Sequence, residues 1–444
     1  NIVGDTTYFR APFYVWCLSI VYAAFGASLW AARLFGIGVG VCSVAFTYLI
    51  ARRLAGHRAG MIAAVIASIY PIFLMFEAEI LLDPLFTLLV QVFVFSLLLW
   101  SDKPTWGRFF LASTVCGLAA LTRPTILAVV PLVIIWMLWK FRRFPATMCK
   151  HVAACVVGLA ITVGVVFCRN LLVAGDPVLI ASQGGLNFYI GNNDSADGLS
   201  ASLPEPLGHN WRIQDITFIA ERESGRTLKP GEISAYWSGR AVDWIIDHPG
   251  RFLGLTLKRL WFSISNIEVS NNRLISALFE RLAILRYNPI RFGVIFTLAI
   301  VGMFISWTKT PAVRWLIVGM IWFTLVNAVF FINSRFRLPL IPLYIILAAL
   351  ALDYLSQHVR SIWRDWRLTL VATVAAVLSF VPLYGLPLKV STSDLLSKGL
   401  LMYNRGDFVA ALACYRAGAS IDETFPETNL NIGTVMLKMG QVDS

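Results

Sequence analysis

The sequence predicts an all-α polytopic membrane protein with a mixed extracytoplasmic loop domain and a C-terminal helical hairpin. Three observations predict this fold class. Hydrophobic residues make up 58% of the 444 residues, above the usual 45–50% or so of globular domains, and the mean hydropathy is +0.71. Apolar runs of membrane-helix length alternate with short basic loops. Finally, the last fifty or so residues contain a 34-residue repeat.

The apolar runs predict ten membrane helices. They cover residues 33–51, 61–76, 85–100, 109–121, 126–139, 152–167, 289–307, 315–332, 340–355 and 368–386, and an earlier apolar run at 13–30 is interrupted by Gly26. Cations gather in alternate loops, as the positive-inside rule expects of cytoplasmic loops. On this count residues 77–83, 122–124, 169–259, 334–339 and the tail lie on the outer side.

The net charge of +12 does not indicate a nucleic-acid partner. The Lys and Arg residues fall in the short loops between apolar runs, where membrane topology accounts for them. The seven cysteines are scattered, mostly inside apolar segments, and have no metal-site or disulfide spacing. We interpret them as small core residues, and we expect neither a metal nor a cofactor.

The long outer segment begins with turn signals and becomes helical. Apolar residues at helical spacing predict a helix over 236–248, stopped by Pro249-Gly250. Residues 251–267 follow, with Lys258 and Arg259 beside Trp261 and Phe262. Cations next to aromatic residues predict an interfacial helix lying on the membrane surface.

The tail shows a repeat with the tetratricopeptide period. Gly399, Met402 and Gly406 recur 34 residues later as Gly433, Met436 and Gly440. Small residues at such positions let paired helices close against each other. We interpret the tail as a truncated tetratricopeptide array, with an incidental helical hairpin as the alternative.

Polar groups converge on the predicted outer face. They are the acids Glu77, Glu79 and Asp83, the arginines Arg123, Arg335 and Arg337, and an aromatic turn from Tyr8 to Tyr14 that includes Arg10. A carboxylate can accept a proton from an acceptor hydroxyl, and guanidinium groups suit a phosphate. Acids and arginines at a lipid interface therefore favour a phospholipid-linked donor.

Structural roles compete with these catalytic ones. Each of the three arginines could simply snorkel to lipid headgroups. Asp83-Pro84 has the pattern of a helix N-cap followed by proline. For Asp83 we therefore favour a capping role slightly over a catalytic one. Glu77 and Glu79 are not needed to start a helix, and two neighbouring acids repel each other, so a structural role explains them less well.

Five motifs in the same order resemble bacterial members of the dolichyl-phosphate-mannose protein mannosyltransferase superfamily, whose relatives include the lipid A aminoarabinose transferases. The motifs are residues 8–14 (YFRAPFY), 76–79 (FEAE), 121–124 (LTRP), 184–193 (GGLNFYIGNN) and 335–339 (RFRLP). The resemblance extends to about residue 390. It implies a GT-C fold in a bacterial inner membrane, with an extracytoplasmic site that uses a polyprenyl-phosphate sugar and inverts the transferred sugar.

The resemblance also implies roles for individual residues. Glu79 and Glu77 match acids of the second outer loop, with Asp83 as a third candidate, and Arg123, Arg335 and Arg337 match positions that hold the donor phosphate. The resemblance further implies that Tyr8, Arg10, Asn187, Tyr189 and Asn192 contact the donor or the acceptor. The family's principal catalytic Asp precedes the segment that matches Tyr8 to Tyr14, so we expect this chain to be a fragment that lacks it and the first membrane helix. The fragment by itself could therefore be inactive.

The resulting hypothesis is a membrane glycosyltransferase acting on an extracytoplasmic protein, lipid or glycan, with a protein partner for the tail. The predicted domains are 1–168 (N-terminal membrane helices), 169–288 (extracytoplasmic loop domain), 289–390 (C-terminal membrane helices) and 391–444 (tetratricopeptide region). The alternatives are a transporter or lipid flippase, which should show mid-membrane charges and paired broken helices, and an assembly scaffold that recruits partners through the tail.

Overall fold

The structure is a computed structural model. It describes residues 8–201, 203–204, 207–208, 211–270, 275, 283–308, 311–358, 365–384, 392–421 and 426–440. The described residues form helices and loops without any strand, which confirms the predicted all-α class. The chain divides into two compact units, residues 1–267 with 290–382, and residues 268–289 with 383–444. The four predicted domain boundaries stay a prediction.

The described residues of the first unit form eighteen α-helices. They are α1 (Phe13–Phe25), α2 (Leu29–Ala55), α3 (His57–Ile69), α4 (Pro71–Ala78), α5 (Asp83–Asp102), α6 (Trp106–Ala120), α7 (Val130–Phe141), α8 (Pro145–Leu159), α9 (Val165–Ala174), α10 (Gly184–Gly191), α11 (Ile213–Ser224), α12 (Pro230–Asp247), α13 (Pro249–Ile264), α14 (Phe292–Ser306), α15 (Pro311–Ala328), α16 (Ser334–Arg337), α17 (Ile341–Gln357) and α18 (Trp366–Phe380). A 3-10 helix, Pro124–Val129, leads into α7, and a π-helical turn, Ala160–Gly164, joins α8 to α9.

The protein is a multi-pass membrane protein. Among the described residues, six helical segments are long and apolar enough to cross a bilayer: Leu29–Ala55, Asp83–Asp102, Pro124–Phe141, Pro145–Ala174, Pro311–Ala328 and Ser334–Gln357. The last of these contains α17, which is the most buried of the six and packs against α2, α3 and α14. Three further predicted spans correspond to α6, α14 and α18, each 15 residues long, or about 22 Å. The side assigned to each loop therefore stays a prediction.

The predicted span 61–76 is interrupted. Helices α3 and α4 meet at Tyr70 with a bend of 55°. Pro71 opens α4, and because proline disfavours helical geometry in the residue before it, Tyr70 adopts an extended conformation (φ −70°, ψ 119°). The break turns the end of α4, which carries Glu77, away from the direction of α3.

Residues 251–267 were predicted as an interfacial helix, and their position on the membrane surface stays a prediction. These residues do form a helix, α13, but Arg259, Trp261 and Phe262 are buried within the protein. Basic and aromatic neighbours look the same in sequence whether lipid or protein covers them. Here distant segments of the chain supply the covering groups.

The second unit contains a short helix, Ala283–Arg286, and the tail helices α19 (Thr392–Asn404), α20 (Phe408–Ile421) and α21 (Pro426–Lys438). Gly399 lies against the ring of Tyr415, so α19 and α20 approach closely where the repeat predicted it. Gly406 and Gly440, 34 residues apart, follow α19 and α21 with φ of 78° and 71°, which glycine adopts without strain. The geometry fits the repeat, and the tetratricopeptide assignment stays a prediction.

Candidate active site

Asp83 forms the centre of a buried charged cluster. It is the first residue of α5, its side chain has 0% exposure, and each carboxylate oxygen meets a different arginine. Oδ1 accepts a hydrogen bond from Nη2 of Arg123, and Oδ2 accepts one from Nε of Arg335 at 2.6 Å. The capping prediction for Asp83 is wrong, because the N-cap is Leu82 and no side chain caps α5.

Arg123 reaches Asp83 from the turn after α6. The backbone N–H of Arg123 bonds to the carbonyl of Ala119 at 2.8 Å, which closes that turn. The guanidinium lies over the ring of Phe336 at 4.7 Å and near that of Phe86 at 5.9 Å. Burial lowers the pKa of Arg123 to about 10 and the charge of Arg335 adds to this, while Asp83 opposes it. Arg123 therefore keeps its charge at neutral pH, held between aromatic rings rather than extended to headgroups.

Arg335 and Arg337 lie two residues apart but point to different surroundings. Arg335 is ordered by Asn333, whose Oδ1 accepts its backbone N–H at 3.1 Å, and its side chain joins Asp83. Arg337 lies 3.6 Å from the ring centroid of Phe292 and donates to the carbonyl of Ser265 at 2.7 Å. The structure thus brings Arg123 and Arg335 together and places Arg337 in the protein core.

Glu77 and Glu79 occupy the end of α4. Glu77 is half-buried, and its carboxylate packs against Gly40 of α2 so closely that a side chain there would overlap it. A small cavity adjoins the carboxylate. It is lined by Gly40, Ser43, Phe73, Phe76, Glu77, Pro84, Thr87 and Leu338. Pro84, the residue after Asp83, lines the same cavity as Glu77. Glu79 follows α4 and is also half-buried.

The aromatic turn approaches the same region. The backbone N–H of Phe13 donates to the carbonyl of Leu121 at 3.0 Å, which fixes the start of α1 beside the Arg123 turn. Arg10 is exposed, yet partial burial and the nearby charge of Arg335 lower its pKa. Tyr8 instead donates its hydroxyl to Asp176 at 3.0 Å. Within the turn, Arg10 is therefore the residue whose charge acts on the cluster.

The predicted residues of the 184–193 motif form a packing core. Tyr189 is buried against Trp237, with ring centroids 4.9 Å apart. Asn192 is buried and donates through Nδ2 to the carbonyls of Phe188 and Val329 at 2.8 and 2.9 Å. Asn187 is half-buried on α10. Phe9 and Phe336, the neighbours of Arg10 and Arg335 in sequence, pack against the apolar cluster that contains Tyr189. The predicted contact of the three motif residues with donor or acceptor stays a prediction.

A partly open apolar cavity lies between membrane helices, and the space inside it that can hold the centre of a water molecule is about 80 Å³. Its lining comes from α5, the Pro124–Val129 turn with α7, α15, and the segment that leads into α17, namely Val90, Phe93, Val94, Leu97, Leu98, Ile126, Val129, Leu132, Val133, Trp136, Ala312, Trp315, Leu316, Gly319, Met320, Phe323, Leu340 and Leu343. Three of these segments begin at or a few residues after Asp83, Arg123 and Arg335, respectively. The helices that line the cavity therefore also carry or directly follow the residues of the charged cluster.

Some contributors to the site were not predicted from the sequence. Phe86 and Phe336 enclose Arg123, and Gly40 makes room for Glu77. The alternating glycines Gly36, Gly38 and Gly40 were the available signal, since repeated glycine in a membrane helix indicates close approach of another segment. In the part of the chain that the structure describes, no group of three or more His, Cys, Asp or Glu side chains could hold a metal ion.

Comparison with known proteins supports the sequence resemblance. Residues 9–167 match the family described as dolichyl-phosphate-mannose-protein mannosyltransferase, which confirms the resemblance for this part of the chain. The matched segment includes Arg10, Glu77, Glu79, Asp83 and Arg123. None of the curated proteins matches the sequence significantly.

Two solved structures show a distant likeness. ArnT from Cupriavidus metallidurans bound to undecaprenyl phosphate is 15% identical with a TM-score of 0.45, and the match covers 98% of this chain and 66% of ArnT. The oligosaccharyltransferase AglB from Archaeoglobus fulgidus, in complex with an inhibitory peptide and a dolichol-phosphate, is 15% identical with a TM-score of 0.43. That match covers 97% of this chain and 52% of AglB. The chain thus spans just under two thirds of ArnT and about half of AglB, and such scores alone assign neither fold nor activity.

Proposed function

We propose that this chain, which over residues 9–167 matches the dolichyl-phosphate-mannose-protein mannosyltransferase family, is a membrane glycosyltransferase with a GT-C fold. It transfers a sugar from a polyprenyl-phosphate donor to an acceptor with inversion at the anomeric carbon. We also place its active site on the extracytoplasmic face of a bacterial inner membrane, following the charge pattern of the loops. A hydroxyl or amine of a protein, lipid or glycan serves as acceptor.

The observation that carries the proposal is the pair of arginines held by one buried carboxylate. Asp83 neutralises only one of the two positive charges of Arg123 and Arg335, and Arg10 adds a third cation nearby. The excess positive charge suits a phosphate, whose negative charge grows as the sugar leaves. Because Asp83 fixes both guanidinium groups in advance, they need little reorganisation when the donor binds.

The apolar cavity supports a lipid-linked donor. Its lining is almost entirely apolar, and Ile126 and Leu340 place it three and five residues from Arg123 and Arg335. Isoprene units are as apolar as the lipid tails around them, so they can enter this cavity from the bilayer without any polar group losing its hydration. A donor with a phosphate at the arginines and a hydrocarbon chain in the cavity uses both features.

We propose different roles for the three acids. Both oxygens of Asp83 are engaged and its side chain has 0% exposure, so we assign it to positioning the arginines. Glu77 and Glu79 remain as the groups that receive the acceptor proton or orient the acceptor. The acceptor oxygen or nitrogen then forms a bond to the anomeric carbon while the bond to the phosphate oxygen breaks, and the phosphate leaves with the electron pair.

Transfer assays with defined donors test the proposal. The chain in lipid nanodiscs should transfer sugar from short-chain polyprenyl-phosphate monosaccharides and not from the corresponding nucleotide sugars. Binding of the lipid donor without transfer to any acceptor would favour the flippase alternative. The described residues contain one bent helix pair, α3 with α4, whereas that alternative predicted paired broken helices.

A further inference from the structure

Among the described residues, the buried side chain of Arg259 forms no ion pair with a carboxylate, although the charge of Asp197 partly opposes the effect of burial on the pKa of Arg259. It lies on α13 with 0% exposure, and burial lowers its pKa to about 10, so it stays charged at neutral pH. A buried charge is costly unless hydrogen bonds satisfy it. The acceptors that surround this guanidinium therefore show what holds it in place.

Those acceptors belong to two segments that are far apart in sequence. Nη2 donates to the carbonyl of Gly191, and Nη1 lies 3.1 Å from the carbonyl of Ala328, 3.3 Å from that of Val329 and 3.4 Å from Oδ1 of Asn192. One guanidinium thus bridges the end of α10 to the end of α15. We call Arg259, Asn192 and the three carbonyls the Arg259 clamp.

Other contacts hold the same two segments together. Asn192 donates to the carbonyl of Val329 at 2.9 Å, and the N–H of Ile332 donates to the carbonyl of Gly198 at 3.0 Å. A side chain at Gly191 would come within 2.8 Å of the main chain of Phe330. Residues 328–332 are therefore set against residues 191–198 along their length.

The clamped segment leads directly to the active-site arginine. Residue 332 is followed by Asn333, which accepts the backbone N–H of Arg335, and Arg335 then reaches Asp83. From this continuity we propose that Arg259 is a positioning residue. It sets the main chain before Arg335 so that the Arg335 guanidinium meets Asp83 and the donor phosphate. This inference rests on the proposed function and adds a residue to it.

Lysine cannot replace arginine in this clamp. The guanidinium offers five donors in a fixed planar arrangement, whereas a lysine ammonium is a single point with three donors. Arg259→Lys keeps the charge but should lose the bridge between the two segments. The matched control is Arg251→Lys, on the same helix, because Arg251 is exposed and contacts only the loop at Asp194 among its recorded hydrogen-bond and ion-pair partners.

Hydrogen exchange tests the clamp without any ligand. In nanodiscs, the amides of Ile332 and Arg335 should exchange about tenfold faster in Arg259→Lys than in the wild type, and at the wild-type rate in Arg251→Lys. If Arg259→Lys fails to fold, Asn192→Ala serves instead, since it removes one link without altering the buried charge. Wild-type protection in Arg259→Lys, or in Asn192→Ala where that variant replaces it, would overturn the clamp.

Binding of undecaprenyl phosphate, with uncharged undecaprenol as reference, tests the link to Arg335. We expect the preference of the wild type for the phosphate to fall about tenfold in Arg259→Lys and to persist in Arg251→Lys. Faster exchange with an unchanged preference would overturn the positioning role. Should the wild type itself show no preference for the phosphate, the proposed function fails, and hydrogen exchange alone then decides whether the clamp exists.

Discussion

The carboxylate of Glu77 occupies the space in which a side chain at Gly40 would begin. A Cβ built on Gly40 overlaps the carboxylate, and a Cβ built on Gly36 would come within 2.6 Å of the backbone carbonyl oxygen of Glu77. Helix α2 therefore determines where the end of α4 and the Glu77 side chain can lie. Glycine at these positions lets an acidic residue approach a membrane helix closely.

Gly40→Ala should reduce sugar transfer at least tenfold, because the added methyl group displaces the Glu77 carboxylate. A displacement of about 1 Å in a reacting group can cost on the order of a hundredfold in rate. Gly38→Ala is the matched control on the same helix, since a Cβ there meets nothing within 4 Å. Equal turnover in the two variants, measured at equal expression, would contradict the role of α2 in positioning Glu77.

Asp83→Asn should weaken donor binding and lower the melting temperature. Removing one partner from a buried ion pair costs about 3–5 kcal/mol, and here two arginines lose their common carboxylate. Asp102→Asn, at the other end of α5, alters an ion pair whose side chains are 35% and 52% exposed and should change stability by only about 0–1 kcal/mol. If Asp83 were instead the catalytic base, its variant would bind donor normally and lose turnover alone.

Arg335→Ala should raise the KM for the donor about tenfold or more and leave the KM for the acceptor nearly unchanged, since Arg335 is proposed to hold the phosphate. Arg337→Ala should chiefly lower thermal stability, because Arg337 packs on Phe292 and binds the Ser265 carbonyl. Steady-state kinetics with each substrate varied in turn distinguish the two. Equal effects of Arg335→Ala on both substrates would assign it a structural role.

Glu79→Gln should abolish transfer while membrane insertion stays intact, and Glu77→Gln should reduce it strongly, because an amide cannot accept the acceptor proton. Glu223→Gln is the control, since Glu223 forms a half-exposed ion pair with Arg240. Single-turnover assays with pre-bound donor measure the chemical step. Unaltered turnover in Glu79→Gln would remove that residue from the site.

Gly319→Phe should inhibit use of long-chain donors more than short-chain ones, because Gly319 lines the apolar cavity and has free space at its Cβ position. Gly38→Phe adds the same ring to a position outside the cavity lining and should have little effect. Comparing donors of increasing isoprenoid length measures the difference. Inhibition independent of chain length would place the hydrocarbon chain elsewhere.

The sequence indicated which charged residues the candidate site contains, but not how they pair. Carboxylates and arginines between apolar runs were recognisable as candidates because a charged side chain in or near a membrane is energetically costly and is therefore often functional. That Asp83 joins Arg123 and Arg335 was not recognisable, since these residues are far apart along the chain. Capping was the local alternative for Asp83, and no local pattern distinguishes it from a distant ion pair.

Arg259 also shows that local sequence does not reveal contacts between distant segments, here because its sequence pattern suggested a different role. Its neighbours Lys258, Trp261 and Phe262 form a pattern typical of a membrane interface, yet Arg259 bridges the ends of α10 and α15. Backbone carbonyls carry no sequence signature. A residue that binds them cannot be identified until the fold brings the segments together.

The sequence by itself determined the helical membrane class, the approximate positions of most membrane helices and the residue types available for chemistry, because hydropathy, proline and glycine act over a few neighbouring residues. Only the tertiary structure decided that α3 and α4 form a bent pair at Tyr70, that Asp83 holds two arginines, and that Arg337 and Arg259 face the protein interior. Those outcomes depend on contacts between residues far apart in the chain, and such contacts arise from packing rather than from local periodicity.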